Sequence, residues 1–487
     1  MPTPLREIAN EEHTSTAPSH SSHNHAPLRE PTTPFGRPMR SLFPFAPTYT
    51  PLNHGSYGTV PLAILSHRER LLREYESREC IFKQFTLPKL LAESRAAVAP
   101  LLGAATDEVV FVNNATTGVN TVLRNLVYER GDVIVYPTSI YPACLNTVRF
   151  LEETTAVRGV GVDVVYPVED EEVVERFRAV VERVVRKGGR VRVAVFDTIV
   201  SGPGVRVPWE RLVGVCRELG VLSLVDGAHA VGHLDMRHTG AVRPDFLVTN
   251  CHKWLYAPRG CAVLYVPFAN QHLITTCLPT SHGYKPPSVR KLLPTTAYFV
   301  NLFVDVSTAD STPFICVPAA LKFREDVCGG EEAILAYNHA LAYEGGNRVA
   351  QMFGTEVLDD RSGSIRKCGF ANVKLPLSVG TREGDDLKSE DVGRVLLFIY
   401  RTAAREFDTY MQTFFYAGCF WTRFSAQIYL EMADFEWAAS TLLGLCERVK
   451  KGEWRAMGAG AEEEEEWRAV AEESNYDERR KGVLEGQ

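Results

Sequence analysis

The sequence predicts an α/β fold: a mainly parallel, seven-stranded sheet covered by helices, followed by a smaller α+β domain. Three observations support this. Seven short runs rich in β-branched residues, at 109–112, 133–136, 162–165, 193–196, 221–225, 246–249 and 262–266, are apolar at successive positions rather than alternate ones. Strands buried between two helical layers must be apolar on both faces, and they read this way. Amphipathic stretches such as 173–185 and 209–219 separate several of the runs, the alternation that a parallel sheet with crossover helices requires. From about 319 the periodicity turns helical, at 319–350 and again at 392–407 and 435–449 around short strands, which marks a second domain.

The flanking segments differ in composition. Residues 1–40 are rich in Ser, Thr, Pro and His, lack hydrophobic periodicity and are expected to be a disordered arm. The cluster His20, His23 and His25 lies in that arm without an ordered frame, so no metal site is expected. Residues 41–75 should form an N-terminal segment packed on the small domain, with the large domain at 76–318 and the small one at 319–455. Residues 456–487 read as an acidic tail, opening with the glutamate run 462–466, and no chemistry is assigned to them.

Composition narrows the function. With 487 residues, 45% of them hydrophobic, the chain can bury a large core, and its formal net charge of −7 carries no basic footprint for nucleic acid or anionic membrane. No apolar run approaches the roughly 18 to 20 residues of a membrane span, and no secretory signal is visible. The expected location is cytoplasmic, with the nucleus also compatible, and the expected partner is a small molecule. The 11 cysteines lack paired or finger-like spacing, which suits reduced, mostly buried thiols.

The informative segments are Val221 to Ala230, with Asp226-Gly-Ala-His229-Ala230 at its end, and Asp245 to Trp254, ending Asn250-Cys-His252-Lys253-Trp254. Each is an apolar run that delivers polar residues at its C-terminal end, where open α/β sheets bind ligands. Pyridoxal phosphate (PLP) needs an acid to keep its pyridine nitrogen protonated and a lysine amine to bond its aldehyde. Asp226 and Lys253 suit those roles. A surface lysine between His252 and Trp254 at the end of an apolar strand would be out of place. Upstream, Asn113-Asn-Ala115-Thr116-Thr117-Gly118 joins the run 109–112 to an apolar helical stretch. Taken alone such a turn reads as an ordinary helix cap by Asn114 or Thr116, and its place in this fold tips it toward a phosphate site built from helix N-terminal N–H groups.

Together with Pro258-Arg-Gly260, the Asp226 and Lys253 segments resemble the signature of class V aminotransferases, a fold-type-I PLP family, over residues 45 to 450. The resemblance implies roles residue by residue. His252 and Asn250 would help hold the phosphate, and Ala115, Thr116 and Thr117 would form its cup. His229 and Ser201 would lie near the cofactor's 3′-oxygen. Tyr141 would stack on the pyridine ring and exchange a proton. Arg423, in Arg423-Phe-Ser425, would pair with the carboxylate of an amino-acid substrate. Thr312, in the segment 307–312, would reach the phosphate of a neighbouring subunit, which implies a homodimer with shared active sites. The turn Asn53-His54-Gly-Ser-Tyr57-Gly58 is expected to line the substrate entrance.

The segments 51–61 and 426–437 most resemble the isopenicillin N epimerase-like branch, and within it the hercynylcysteine sulfoxide lyases of fungal ergothioneine biosynthesis. This likeness implies a C–S lyase that cleaves a cysteine-conjugate sulfoxide by β-elimination to a sulfenic acid, pyruvate and ammonia. Lys253 would take the Cα proton and Tyr141 would protonate the leaving sulfur. The alternatives are an epimerase or racemase, or a cysteine desulfurase-like enzyme. A desulfurase needs a loop thiolate, and 408–416 contains no cysteine, while Cys419 is expected on the same strand as Arg423 and Cys368 is unassigned. Tyr57, His54, His282 and Tyr284 are candidates to meet a quaternary ammonium group, which aromatic faces attract.

Overall fold

A computed structural model describes residues 30–380, 386–456, 468, 470 and 474–485. Seven strands form the large-domain sheet: β1 (Val109–Val112), β2 (Asp132–Pro137), β3 (Arg158–Val162), β4 (Arg190–Asp197), β5 (Leu222–Gly227), β6 (Phe246–Asn250) and β7 (Ala262–Tyr265). Their order is β1-β7-β6-β5-β4-β2-β3, and β7 alone runs against its neighbours. The other six share one direction, so the C-terminal ends of β1, β4, β5 and β6 lie along one edge.

Successive strand residues enter two different cores, which is why the strands read as continuously apolar. Val110, Ile134, Val193, Leu224 and Val248 pack with the helices Ala115–Asn125 and Pro142–Thr154 on one face. Val109, Val133, Ala194, Val225 and Leu247 join the helices Asp170–Arg186 and Trp209–Glu218 on the other. Each valine, leucine or isoleucine among them, fully buried, contributes about 1.5–3 kcal/mol of transfer free energy.

The third strand corrects the sequence reading, which had it at 162–165. It is Arg158–Val162, paired in parallel with β2, and the apolar residues beyond it, Val164 and Tyr166, are buried in the connection that follows. Gly159 weakens the strand signal but is required there: a Cβ would stand 2.9 Å from Val148 and 3.0 Å from the Tyr136 ring.

The small domain carries β8 (Phe370–Lys374), β9 (Gln412–Tyr416) and β10 (Cys419–Ser425) in the antiparallel order β8-β10-β9. It is covered by the helices Glu331–Phe353, Val392–Phe407 and Met432–Lys450. Cys419 does lie on the same strand as Arg423.

Both flanking segments include ordered parts. Residues 1–29 of the expected arm lie outside the described residues. Its remainder is held in place: Met39 is buried, and Arg40 pairs with Asp434 of the small domain at 2.8 Å. Further along, the Ser425 N–H donates to Leu52 O at 3.0 Å. The glutamate run 462–466 is likewise outside the described residues, but the helix Tyr476–Glu485 is not a solvated tail. Val483 is buried in the first of the two cores, and Arg480 grips Asp163 through two 2.6 Å bonds. No helix among the described residues is long and apolar enough to cross a membrane.

Candidate active site

Two adjoining cavities open at the shared edge of β1, β4, β5 and β6. The inner one, about 290 Å³, is lined at one end by Asn114, Ala115, Thr116, Asn250 and His252, and at the other by Asp197, Asp226, His229, Ser201 and Lys253. The outer one, about 630 Å³, shares Ser56, Tyr57, Tyr141, Ser201 and Lys253 with it and reaches Arg423.

Asp226 is the last acid on β5. Its Oδ1 accepts the Ala228 N–H at 2.9 Å and its Oδ2 the Cys144 thiol at 3.3 Å. Burial raises its pKa, and the Ala228 and Cys144 bonds and the Lys253 charge offset part of that rise. Asp197 stands directly across on β4 and is pushed well above the carboxylate range, first by burial and then by repulsion from Asp226. Two carboxyl groups this close favour a single negative charge, and Asp197 carries the proton.

Lys253 sits in the one-turn helix Cys251–Trp254 that follows β6. Burial and the Arg423 guanidinium lower its amine to about 8, against the opposing pull of Asp226 and Asp197. The helix end is clamped by its carbonyls: His54 Nε2 contacts Lys253 O, and Arg324 Nη1 donates to Trp254 O at 2.8 Å. His229 lies 3.3 Å from the lysine Nζ, and burial drives its imidazole well below the ordinary range, so it is neutral.

The phosphate end divides the expected residues into those that face the cavity and those that support it. Ala115, Thr116 and His252 line it at the start of the helix Ala115–Asn125, whose dipole favours an anion. Asn250 reaches the cavity too, but its Oδ1 accepts the Ala115 N–H at 2.9 Å, so it also props the turn. Thr117 is turned inward, where both its N–H and its hydroxyl bond Asn114 Oδ1, at 2.8 and 3.1 Å. The cap therefore leaves the turn's cavity-facing residues Ala115 and Thr116 open to an anion. His252 Nδ1 is held by Cys261 O at 2.9 Å, and burial lowers its ring to about 4.

Arg423, on β10, is buried and forms no ion pair among the described residues. Its Nη1 donates to Ser201 O, its Nη2 to Asn53 Oδ1 at 3.0 Å and Ser56 Oγ at 3.1 Å, and its Nε is left unsatisfied. The guanidinium lies 4.4 Å over the Phe370 ring. Such an unneutralised buried cation is poised for an anionic ligand.

Other expected residues are placed differently. Asn53 orients Arg423 rather than facing the cavity. His54 is buried, with Nδ1 2.7 Å from Tyr429 Oη and its pKa driven to about 3 by burial, so it does not line the entrance. Tyr57 and Tyr141 do line it, exposed at 71% and 43%. His282 and Tyr284 line neither cavity. Thr312 is buried away from both, accepting from Arg68 Nε at 3.1 Å.

Sequence reasoning missed Asp197, Cys144 and the wall formed by Tyr476 and Arg479. Asp197 had a readable signal, since it ends an apolar run as Asp226 does. None of the 11 cysteines lines either cavity; Cys368 is buried behind Phe370, its thiol pushed up to about 11.

The donor set fits PLP: a helix N-terminus for the phosphate, an ionised acid for the ring nitrogen, and an amine whose lowered pKa leaves it nucleophilic.

Comparison with known proteins agrees. The model of the family Aminotransferase class-V matches residues 78–371. The chain is 37% identical over 444 residues to the L-cysteine desulfhydrase-like protein lolT1 of Epichloe uncinata, covering 85% of this chain and 97% of that one. It is 32% identical over 416 residues to the hercynylcysteine sulfoxide lyase of Schizosaccharomyces pombe, covering 85% and 98%. Among solved structures, the cystine C–S lyase C-DES in complex with its product cysteine persulfide superposes with a TM-score of 0.63 at 18% identity, over 81% of this chain and 97% of that one. The lysine at the end of β6 thus has its chemical setting, and the chain belongs to the class V aminotransferase family of PLP enzymes.

Proposed function

We propose that this PLP-dependent carbon–sulfur lyase cleaves a cysteine-conjugate sulfoxide of the hercynylcysteine type. The observation that carries the reading is the outer cavity, which at about 630 Å³ far exceeds what cysteine needs and has no thiol in its lining. A sulfoxide sulfur leaves as a sulfenate without an enzymic thiol to accept it. The S. pombe relative named as a lyase of that substrate supports the same reading.

When bound, PLP supplies the electron sink that acidifies the substrate's Cα proton. The chain's own groups do the rest. Arg423 holds the α-carboxylate through its fork. Lys253 Nζ, with its amine lowered to about 8, takes the Cα proton. The Cβ–S bond breaks with its electron pair on sulfur, and Tyr141, at the junction of the two cavities, gives the proton that makes the sulfenic acid. The three-carbon remainder takes up one water and ends as pyruvate and ammonium. With the cofactor bound, His229 and Asp226 would hold its ring, and Ala115, Thr116 and His252 would hold its phosphate.

The deciding experiment supplies hercynylcysteine sulfoxide, or L-cysteine in parallel, to purified holoenzyme with a thiol reductant. Equal amounts of pyruvate and ergothioneine, abolished in Lys253→Ala, are expected. Sulfide and pyruvate from L-cysteine alone would replace this reading with a cysteine desulfhydrase, and altered stereochemistry without pyruvate would replace it with an epimerase. We assign the exposed residues 307–310 to the phosphate of a second copy in a homodimer, with Thr312, buried against Arg68, anchoring that segment instead of reaching across; a monomeric holoenzyme in sedimentation would overturn that assignment.

A further inference from the structure

Asp226 is held at both of its oxygens by groups of very different kinds. The Ala228 N–H that bonds Oδ1 at 2.9 Å is local, two residues along the same chain segment. The thiol that bonds Oδ2 at 3.3 Å is brought from another element, the helix Pro142–Thr154, by Cys144.

The sequence sets that thiol in place. Pro142 opens the helix, and the Cys144 N–H bonds Tyr141 O at 2.9 Å, which closes the first turn. Val148 and Leu151, on the same helical face as Cys144, are buried with it in one core, so the face cannot rotate away from β5. One turn thus delivers two groups: the half-exposed Tyr141 phenol at the junction of the cavities, and the fully buried Cys144 thiol at the acid.

The thiol has little else to do there. It lines neither cavity, so it meets neither substrate nor cofactor. Burial, followed by the neighbouring Asp226 and Asp197 carboxyls, pushes its pKa well above the ordinary thiol range against the pull of Lys253, so it stays protonated and is a donor rather than a nucleophile. A carboxylate bonded at one oxygen turns freely about its last bond, whereas one bonded at both has its plane fixed. The S–H is a weak donor, so it orients the acid without drawing off much of the charge.

We propose that Cys144 is a positioning residue for Asp226, its thiol fixing Oδ2 so that the ionised acid presents one set edge to the cofactor's ring nitrogen. The inference rests on PLP binding and holds whichever conjugate is cleaved.

The test titrates the full-length apoprotein with PLP and with its deaza analogue, in which C–H replaces the ring nitrogen, and reads each Kd from cofactor absorbance. The analogue keeps the phosphate and the aldehyde, so the ratio of the two constants isolates the contact at nitrogen. Cys144→Ala should reduce the wild-type preference for PLP about fivefold, and Cys144→Ser, whose hydroxyl also donates, should keep it within about twofold. A residue that only fills space would weaken both ligands alike. Parallel rises in the two constants, an unchanged ratio in Cys144→Ala, or a serine variant that behaves as alanine does would overturn the proposal. If Cys144→Ala does not accumulate as folded protein, Cys144→Val, which fills the space without a donor, decides by the same ratio. Equal affinity of the wild type for PLP and the analogue would overturn it at the first step, since Asp226 would then gain nothing from the ring nitrogen.

Discussion

Trp254 Nε1 donates to His229 Nδ1 across 3.4 Å, and that bond leaves the proton of the neutral imidazole on Nε2, which stands 3.3 Å from Lys253 Nζ. The ring therefore offers a donor to the amine, and an amine that accepts it is uncharged, in keeping with a lysine lowered to about 8. Trp254→Phe keeps an aromatic ring against His233 and Phe370 but removes the donor. Freed, Nδ1 protonates more readily, so the acid limb of the kcat profile should move to higher pH and kcat should fall about fivefold, from loss of roughly 1 kcal/mol of hydrogen bonding. A profile superimposable on wild type would contradict the tautomer assignment.

Lys253 sets the pH dependence of cofactor loading. Only the unprotonated amine can bond an aldehyde, so the rate of PLP uptake by apoprotein should rise through a midpoint near 8, where an ordinary lysine would require pH above 10. Arg423→Gln removes a charge that lowers the amine and should move the midpoint upward. Asp226→Asn removes a charge that raises it and should move the midpoint down. Stopped-flow absorbance across pH measures both directions.

The paired acids at the ends of β4 and β5 should respond unequally to the same substitution. Asp197 is held protonated by burial and by Asp226, and asparagine mimics that form, so Asp197→Asn should cost less than about threefold in kcat. Asp226 must stay ionised against the pyridine nitrogen, and Asp226→Asn should cost about a hundredfold. Similar losses in the two variants would show that the charge does not reside on Asp226.

Buried neutral imidazoles predict acid lability. The His54 ring is lowered to about 3 and His252 to about 4, both chiefly by burial. Between pH 6.5 and those values the unfolded chain binds protons that the folded chain refuses. Stability is therefore complete above about 6.5 and is lost as pH falls, His54 alone accounting for about 3 kcal/mol by pH 4. The melting temperature of the apoprotein should fall over that interval, and His54→Gln should flatten the fall while lowering stability at pH 7. A wild-type melting temperature constant from pH 7 to 4 would refute this.

Gly202 makes room for the helix at the mouth of the outer cavity. A Cβ there would lie 1.7 Å from Tyr476 Oη, so Gly202→Ala should displace that helix and raise KM for an extended substrate about tenfold. Tyr476→Ala alone should also raise KM, but adding it to Gly202→Ala should cost little more, because the clash is gone. Steady-state kinetics of the double-mutant cycle tests the contact.

Much of this was legible from the amino-acid order. Asp226 and Lys253 stand out because a polar residue closing an apolar run has a position in the fold as well as a chemistry. His54 was misread because a histidine between asparagine and glycine suggests an exposed turn, whereas its ring is wedged between Tyr429 and the backbone of Lys253. The helix Tyr476–Glu485 could not be foreseen. Its local pattern is almost wholly polar, and what places it are ion pairs and backbone contacts with residues distant in sequence, such as Asp163 and Ala417. The third strand failed for a related reason: Gly159, which the packing demands, is a poor strand former by propensity.

That helix divides labour along the chain. The amine, the acids and the turn at Ala115 come from the large domain, while part of the wall of the outer cavity comes from a segment that follows the small one. Substitutions in that segment can change which conjugate is accepted while leaving bond-breaking untouched, so relatives with one chemistry and different substrates could diverge by rewriting a few helical turns.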